Sequence, residues 1–387
     1  MEPFHIDVAE EVLADLRRRL AGTRLPAPVL QTESRPWGAG VEPAVLRDLI
    51  EYWGDGFDWR RRERWLNSFP QFRATIGDQD VHFVHVRAAP TTQGTPVPLI
   101  LSHGWPYSFA EMLPIVAHLI DPIAHGGEPT DGFDVVVPSL PGSGFSEPLR
   151  DGPFVSRTVA EMWHTLMTRT LGYDRYATYG EDVGAGVSDW TAALHPEGVL
   201  GLFATHAAFP PPERQDDLTD DEDAFRSWLN EKWTGESAYS HMQGTKPDTF
   251  AVALNDSPAG LAALLAEKFH TWSGSGIGES WTLDEVLTTV MIYWVTGTIG
   301  SSFQPYFDGP REEPLPEIGV PVGVSVQWGE RGFPRSYAER TYRDIRFWND
   351  LPRGGHFTVK ETPELVAADM REFFRPLRAA LARPGGS

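Results

Sequence analysis

The residues best placed to do chemistry lie in one short run. Gly180-Glu181-Asp182-Val183-Gly184-Ala185-Gly186 follows a β-branched and aromatic stretch, Tyr176-Ala177-Thr178-Tyr179, and precedes an apolar helical pattern (Val187, Trp190, Ala193, Leu194). A strand, a single residue flanked by glycines, and then a helix is the layout of a nucleophile elbow. The glycines are needed because such a turn is tight and strained, and a Cβ beside it would collide with the next element. The apex is Asp182 rather than Ser. A serine would point to esters and amides. A carboxylate is a nucleophile for an sp³ carbon bearing a strained ring or a good leaving group. The blander alternative is an ordinary strand-to-helix turn with Asp182 as its N-cap.

A carboxylate nucleophile alone forms an ester and stops. Turnover needs a base to activate water, an acid to orient that base, and donors for the tetrahedral oxyanion. Gly354-Gly355-His356-Phe357 offers the base in a glycine-flanked loop, and Gln327-Trp328-Gly329-Glu330 offers the acid at the end of an apolar run. His103-Gly104-Trp105-Pro106 follows another apolar run. The backbone N–H of Trp105 and that of Val183, just after the nucleophile, would form the oxyanion hole; Pro106 has no N–H to give. A tyrosine hydroxyl suits protonation of the leaving oxygen, being neutral at pH 7 on a rigid apolar body. Tyr239, Tyr293 and Tyr306 are candidates, and spacing does not choose among them.

These groups need a sheet edge to converge on. Apolar strands are predicted at 98–102, 133–138, 176–179, 200–207 and 320–327, with a short one near Ile345. Helical patterns alternate with them at 155–171, after the elbow, at 335–342 and at 363–381, which argues a parallel sheet covered on both faces. A hairpin is predicted from 71–76 to 81–87, turning at Gly77-Asp78. Alternation sends His82 and His85 to opposite faces, so they read as packing residues rather than a metal pair. Residues 1–95 form a meandering arm, with helices at 8–20 and 45–53 among Pro26, Pro28, Pro36, Gly38 and Gly40. Past Pro210-Pro211-Pro212 an acidic run (Asp216 to Asp223) opens a stretch whose patterns are all helical, at 225–233, 257–272 and 283–296. The division is therefore arm 1–95, core 96–209, helical cap 210–310 and core again 311–387.

The net charge of −21 over 387 residues argues against nucleic acid and anionic membranes as partners. With no cysteine, there is no disulfide, thiol nucleophile or thiolate metal site. The acidic run lacks the glycine and spaced ligands of a calcium loop. No secretory leader pattern opens the chain and no apolar run is long enough for a membrane span, so a cytoplasmic location is expected.

With these residues in view, the chain resembles the epoxide hydrolases of α/β-hydrolase fold, in particular the microsomal-type branch with an N-terminal arm, as a bacterial member. The resemblance covers essentially the whole chain. It includes Arg17-Arg18-Arg19-Leu20, Trp59 with Leu66-Asn67-Ser68-Phe69-Pro70-Gln71-Phe72, the 103–106 segment, and Pro138-Ser139-Leu140-Pro141-Gly142-Ser143-Gly144-Phe145-Ser146. It continues through Gly180-Glu181-Asp182, Thr245-Lys246-Pro247, Glu330 and Gly354-Gly355-His356-Phe357. It implies an α/β fold with a mostly parallel central sheet, a helical cap insertion and a meandering arm. It makes Asp182 the nucleophile, His356 the base and Glu330 the charge-relay acid. Tyr239 and Tyr306 match the family's epoxide-binding tyrosines, which leaves Tyr293 to the core. The implied reaction turns an epoxide into a vicinal diol with no metal or organic cofactor, in detoxification or in natural-product biosynthesis; the aromatic richness of the chain, 14 Trp and 21 Phe, suggests that the epoxide is bulky and apolar. An arm that packs on cap and partner implies a homodimer. Where the family often has Gly-Gly-Asp-Trp-Gly, this chain has Gly-Glu-Asp-Val-Gly. Val183 then implies a more open pocket wall, and Glu181 is a charge without a role. The nearest enzyme alternative is a haloalkane dehalogenase, which would need halide-binding N–H donors instead of the two tyrosines. The non-enzyme alternative is a ligand-binding hydrolase fold, against which the intact Asp182, Glu330 and His356 set speaks.

Overall fold

The computed structural model describes residues 1–27 and 36–381; Pro28 lies outside them. Nine strands form one sheet: β1 (Glu2–Phe4), β2 (Gln71–Ile76), β3 (Gln79–Val86), β4 (Val97–Ser102), β5 (Phe133–Pro138), β6 (Tyr176–Gly180), β7 (Val199–Ala204), β8 (Val322–Val326) and β9 (Ile345–Asp350). Their order is β1-β2-β3-β5-β4-β6-β7-β8-β9. The pairs from β1 through β3 to β5 are antiparallel, and every pair from β5 to β9 is parallel. Strands β4 to β8 are buried at every position. Runs such as Phe-Asp-Val-Val-Val are the near-continuous apolar strands of a parallel sheet covered on both faces. Two apolar clusters do the covering, one on each side. The helices Phe109–Ile120, Ser156–Thr165, Val183–Leu194 and Pro363–Phe374 supply much of them.

Between β7 and β8 the described chain forms helices joined by loops and adds no strand to the sheet. Its main helices are Asp220–Glu236, Ala238–Thr245, Pro247–Asp256, Pro258–Trp272 and Leu283–Thr296. The acidic run leads into the first of these, which takes in Asp220 to Asp223 and is longer than the predicted 225–233. Thr219 and Glu222 form a reciprocal capping box, and the carboxylates of the first turn face the positive end of the macrodipole. No single helix among the described residues is long and apolar enough to cross a membrane.

The N-terminal segment lies on both parts. Tyr52 donates to Asp284 at 2.8 Å, Arg62 to Thr288 at 2.7 Å, and Arg19 pairs with Asp256 at 2.9 Å, all on insertion helices. Its first residues add β1 to the sheet edge, a strand too short for a sequence pattern to reveal. His82 hydrogen-bonds Ser139 and Gln71, and His85 hydrogen-bonds Tyr173, so each serves packing on its own face. One boundary matters for the site: β7 stops at Ala204, three residues short of the predicted 200–207. Thr205 and His206 are thereby released from the sheet.

Candidate active site

Because β4, β6, β7, β8 and β9 run parallel, their carboxyl ends open on one edge, where ligands of such sheets bind. Asp182 leaves β6 two residues past its end, with φ +53° and ψ −121°. A non-glycine residue is held there only when its surroundings over-determine it. A Cβ on Gly180 would sit 1.9 Å from the Gly184 carbonyl oxygen, and one on Gly184 2.3 Å from that of Ser102. These two glycines let the elbow close against β4. Asp182 stands at the N-cap position of the helix Val183–Leu194 and makes no side-chain cap bond. Its carboxylate faces the site instead, so the capping alternative fails.

The Trp105 amide donates to Asp182 Oδ1 at 3.0 Å. His356 Nε2 lies 3.4 Å from Asp182 Oδ2. Burial raises the Asp182 carboxyl, but His356 and the Trp105 and Val183 amides outweigh it and leave it below the ordinary value. The loop is anchored by His103, whose Nδ1 donates to the Gly104 carbonyl while Nε2 accepts the Leu140 amide. His356 is held by its own amide, which donates to the Trp272 carbonyl at 2.9 Å. That approach needs Gly355, where a Cβ would lie 2.5 Å from Gly274 N.

Glu330 is buried on a short turn after β8, and two clefts reach both it and His356. Burial pushes its carboxyl up to about 7, against the pull of His356 and Lys232. No hydrogen bond joins it to His356 among the described residues. The larger cleft, about 640 Å³, also reaches Asp182 and is walled by Trp190, Phe209 and Trp233.

Tyr239 and Tyr306 come from two separate helices, Ala238–Thr245 and Gln304–Asp308. The Tyr239 ring stacks on that of Trp105 at 5.0 Å and 4°, and Tyr306 meets Trp105 edge-on at 5.8 Å. The two tyrosine rings are 5.7 Å apart. Burial pushes both hydroxyls up, and the Asp182 charge adds to this. Tyr293 points elsewhere, donating to the Tyr107 carbonyl in the core.

Two further residues belong to the site. Glu181 is fully buried; its Oε1 accepts from the Tyr179 hydroxyl at 2.5 Å and from the Val359 amide at 2.8 Å. Burial pushes its carboxyl up to about 7 against those bonds. The charge left without a role thus ties the elbow to the segment after His356. His206 accepts the Asp182 amide at Nδ1 and meets the His356 carbonyl at Nε2. It is absent from the sequence reading because the predicted strand ran past it. A strand ending at Ala204 would have placed it on the same sheet edge as Asp182.

This architecture is matched by known proteins. Residues 97–297 match the family model "alpha/beta hydrolase fold", and residues 1–112 match "Epoxide hydrolase N terminus". A Stigmatella aurantiaca protein named "Putative epoxide hydrolase" is 40% identical over 97% of this chain and 85% of its own length. Epoxide hydrolase 1 of Oryctolagus cuniculus is 34% identical over 96% of this chain and 88% of its own. The crystal structure of juvenile hormone epoxide hydrolase from the silkworm Bombyx mori superposes with TM-score 0.83 at 27% identity, covering 98% of this chain and 94% of that one. The fold is that of the α/β hydrolases. Within it, the chain belongs to the epoxide hydrolase family of enzymes.

Proposed function

We propose that the protein opens a bulky apolar epoxide through a covalent ester on Asp182, with the helices between β7 and β8 acting as a cap. The observation that carries this reading is the carboxylate at the strained elbow, with one oxygen bound to a backbone amide and the other facing a histidine. Oδ1 is committed to the Trp105 amide, which leaves Oδ2 to attack a ring carbon. As that C–O bond forms, the ring C–O bond breaks, and a hydroxyl of Tyr239 or Tyr306 gives its proton to the departing oxygen. His356 then takes a proton from water, and the hydroxide adds to the ester carbonyl carbon. The oxyanion rests on the Trp105 and Val183 amides. Collapse expels the diol oxygen, which recovers a proton from His356; Asp182 keeps one oxygen of the water, and the second water proton passes from its carboxyl back to the tyrosinate, restoring the carboxylate and the hydroxyl. Glu330, beside His356, would favour its protonated form when ionised. The size of the cleft and its Trp190, Phe209 and Trp233 walls support a bulky substrate with apolar surface, although Asp189, Glu312 and Glu313 also line it and the two tyrosines do not.

The test is a single turnover of racemic styrene oxide in H₂¹⁸O with enzyme in excess. First-turnover diol should carry only ¹⁶O at the new hydroxyl, and the Asp182 peptide should gain ¹⁸O. Asp182→Ala should form neither ester nor diol. Label appearing directly in the first diol would mean that water opens the ring, and the nucleophile assignment would fall.

A further inference from the structure

We infer that His206 is a positioning residue that couples the nucleophile elbow to the loop carrying the base, so that its two ring nitrogens serve different half-reactions. The inference rests on the covalent reading above. His206 comes from the end of β7, outside both segments it joins. The Asp182 backbone N–H can only donate, so Nδ1, 3.2 Å away, must be the acceptor. Nε2 therefore carries the hydrogen and donates to the His356 carbonyl at 3.0 Å. Burial and the neighbouring His356 charge push the ring down to about 3, so it keeps this single neutral tautomer throughout the working pH range.

Each bond meets a need that little else in the structure meets. Asp182 stands outside the helix it precedes, and its amide sits at a residue of positive φ. Among the described residues the His356 carbonyl accepts one other hydrogen bond, from the Thr358 hydroxyl at 3.5 Å. His356 is thus pinned on one side by Trp272 of the insertion and on the other by His206 in the turn just past β7. The two imidazoles also meet edge to face, with centroids 4.8 Å apart at 68°, which limits rotation of the base. Hydrolysis of the ester depends on where His356 sits, whereas ring opening depends on where Asp182 sits.

Two conservative substitutions separate the nitrogens. His206→Gln keeps a donor near Nε2 and loses the acceptor at Nδ1. His206→Asn keeps an acceptor near Nδ1 and loses the donor. His206→Phe keeps a ring and loses both. The experiment is rapid-quench single turnover with styrene oxide, with the ester counted by intact mass and folding checked by thermal melting. A crossed pattern is expected. His206→Asn should alkylate near the wild-type rate and hydrolyse its ester about 10-fold slower, and His206→Gln should do the reverse, as for small misplacements of a catalytic group. His206→Phe should slow both steps. If His206→Phe does not fold, the Gln and Asn pair decides alone. Equal slowing of both steps in both conservative variants, or no change in either, would overturn the proposal. A wild-type enzyme that turns over without an ester overturns the covalent reading and this proposal with it. A wild-type ester with an uncrossed variant pattern overturns this proposal only.

Discussion

Asp182 and Trp105 sit on loops whose backbones touch, and the backbone of the His356 loop lies against Trp272 and Gly274 of the insertion. Amide meets carboxylate, glycine meets carbonyl, and His206 spans the gap between two of the loops. Tyr239 and Tyr306 sit on helices of the insertion and meet that edge through ring faces, stacked on or edge-on to Trp105. Backbone contacts at van der Waals limits have almost no freedom to slide, whereas aromatic packing tolerates small shifts at modest cost. The sheet edge, with the Trp272–Gly274 segment it grips, is therefore the fixed half of the site, and the roof formed by the two tyrosine helices is the half that could adapt to the shape of a substrate.

The largest effect should come from the fixed half. His356→Gln is expected to alkylate and then stall, lowering turnover by about 10² to 10⁴-fold. The protein mass should rise by one substrate and stay there. Rapid steady turnover by this variant would mean that another group activates the water, and the sheet edge would lose its claim to the hydrolytic step.

A smaller effect is expected from the roof. Tyr239→Phe and Tyr306→Phe keep the rings that pack on Trp105 and remove only the hydroxyls. Each should slow ring opening by roughly 10-fold, the double variant by more than either, with ester hydrolysis and melting temperature unchanged. If either single change lowered the melting temperature or the hydrolytic rate instead, the roof would be a structural support of the edge, and the contrast between the halves would break.

The same contrast explains what could be read from the chain. The turn at Asp182 and the loops at 103–106 and 354–357 each need glycine or a fixed residue type within a few positions, so they leave a short-range signature. Gly180, Gly184 and Gly355 are legible for this reason. The alternation of strands and helices likewise gave the parallel sheet. The roof leaves no such mark, since contact between a helical tyrosine and a distant tryptophan depends on long-range packing. Tyr239, Tyr293 and Tyr306 were equivalent by spacing, and only the resemblance separated them. His206 was hidden by a boundary error of three residues: the apolar pattern continues through Ala207 and Ala208 although the hydrogen-bonded strand does not. Glu181 was visible but mute, because its partners at Val359 and Tyr179 show only in the fold.

Glu181 gives the finest test of how fixed the edge is. Its carboxyl stands at about 7 in the folded chain against an ordinary 4.5. The folded state then holds this proton more tightly than the unfolded state. The resulting stability is complete below about pH 4.5 and is lost as the pH rises through 7, a span worth on the order of 3 kcal/mol. Glu181→Gln cannot titrate, yet its amide oxygen can still accept from Tyr179 and Val359. Urea midpoints of variant and wild type, compared at pH 5, 6, 7 and 8, should therefore diverge in the variant's favour as the pH rises. Glu330 and Asp189, also raised by burial to about 7 and about 8, titrate in both proteins and cancel in the difference. Turnover should change least among these variants, since Glu181 touches the base segment at Val359 rather than at His356 itself. Parallel stability curves would mean that water or backbone movement relieves the buried charge, and an edge able to move that far would not be the rigid half of the site.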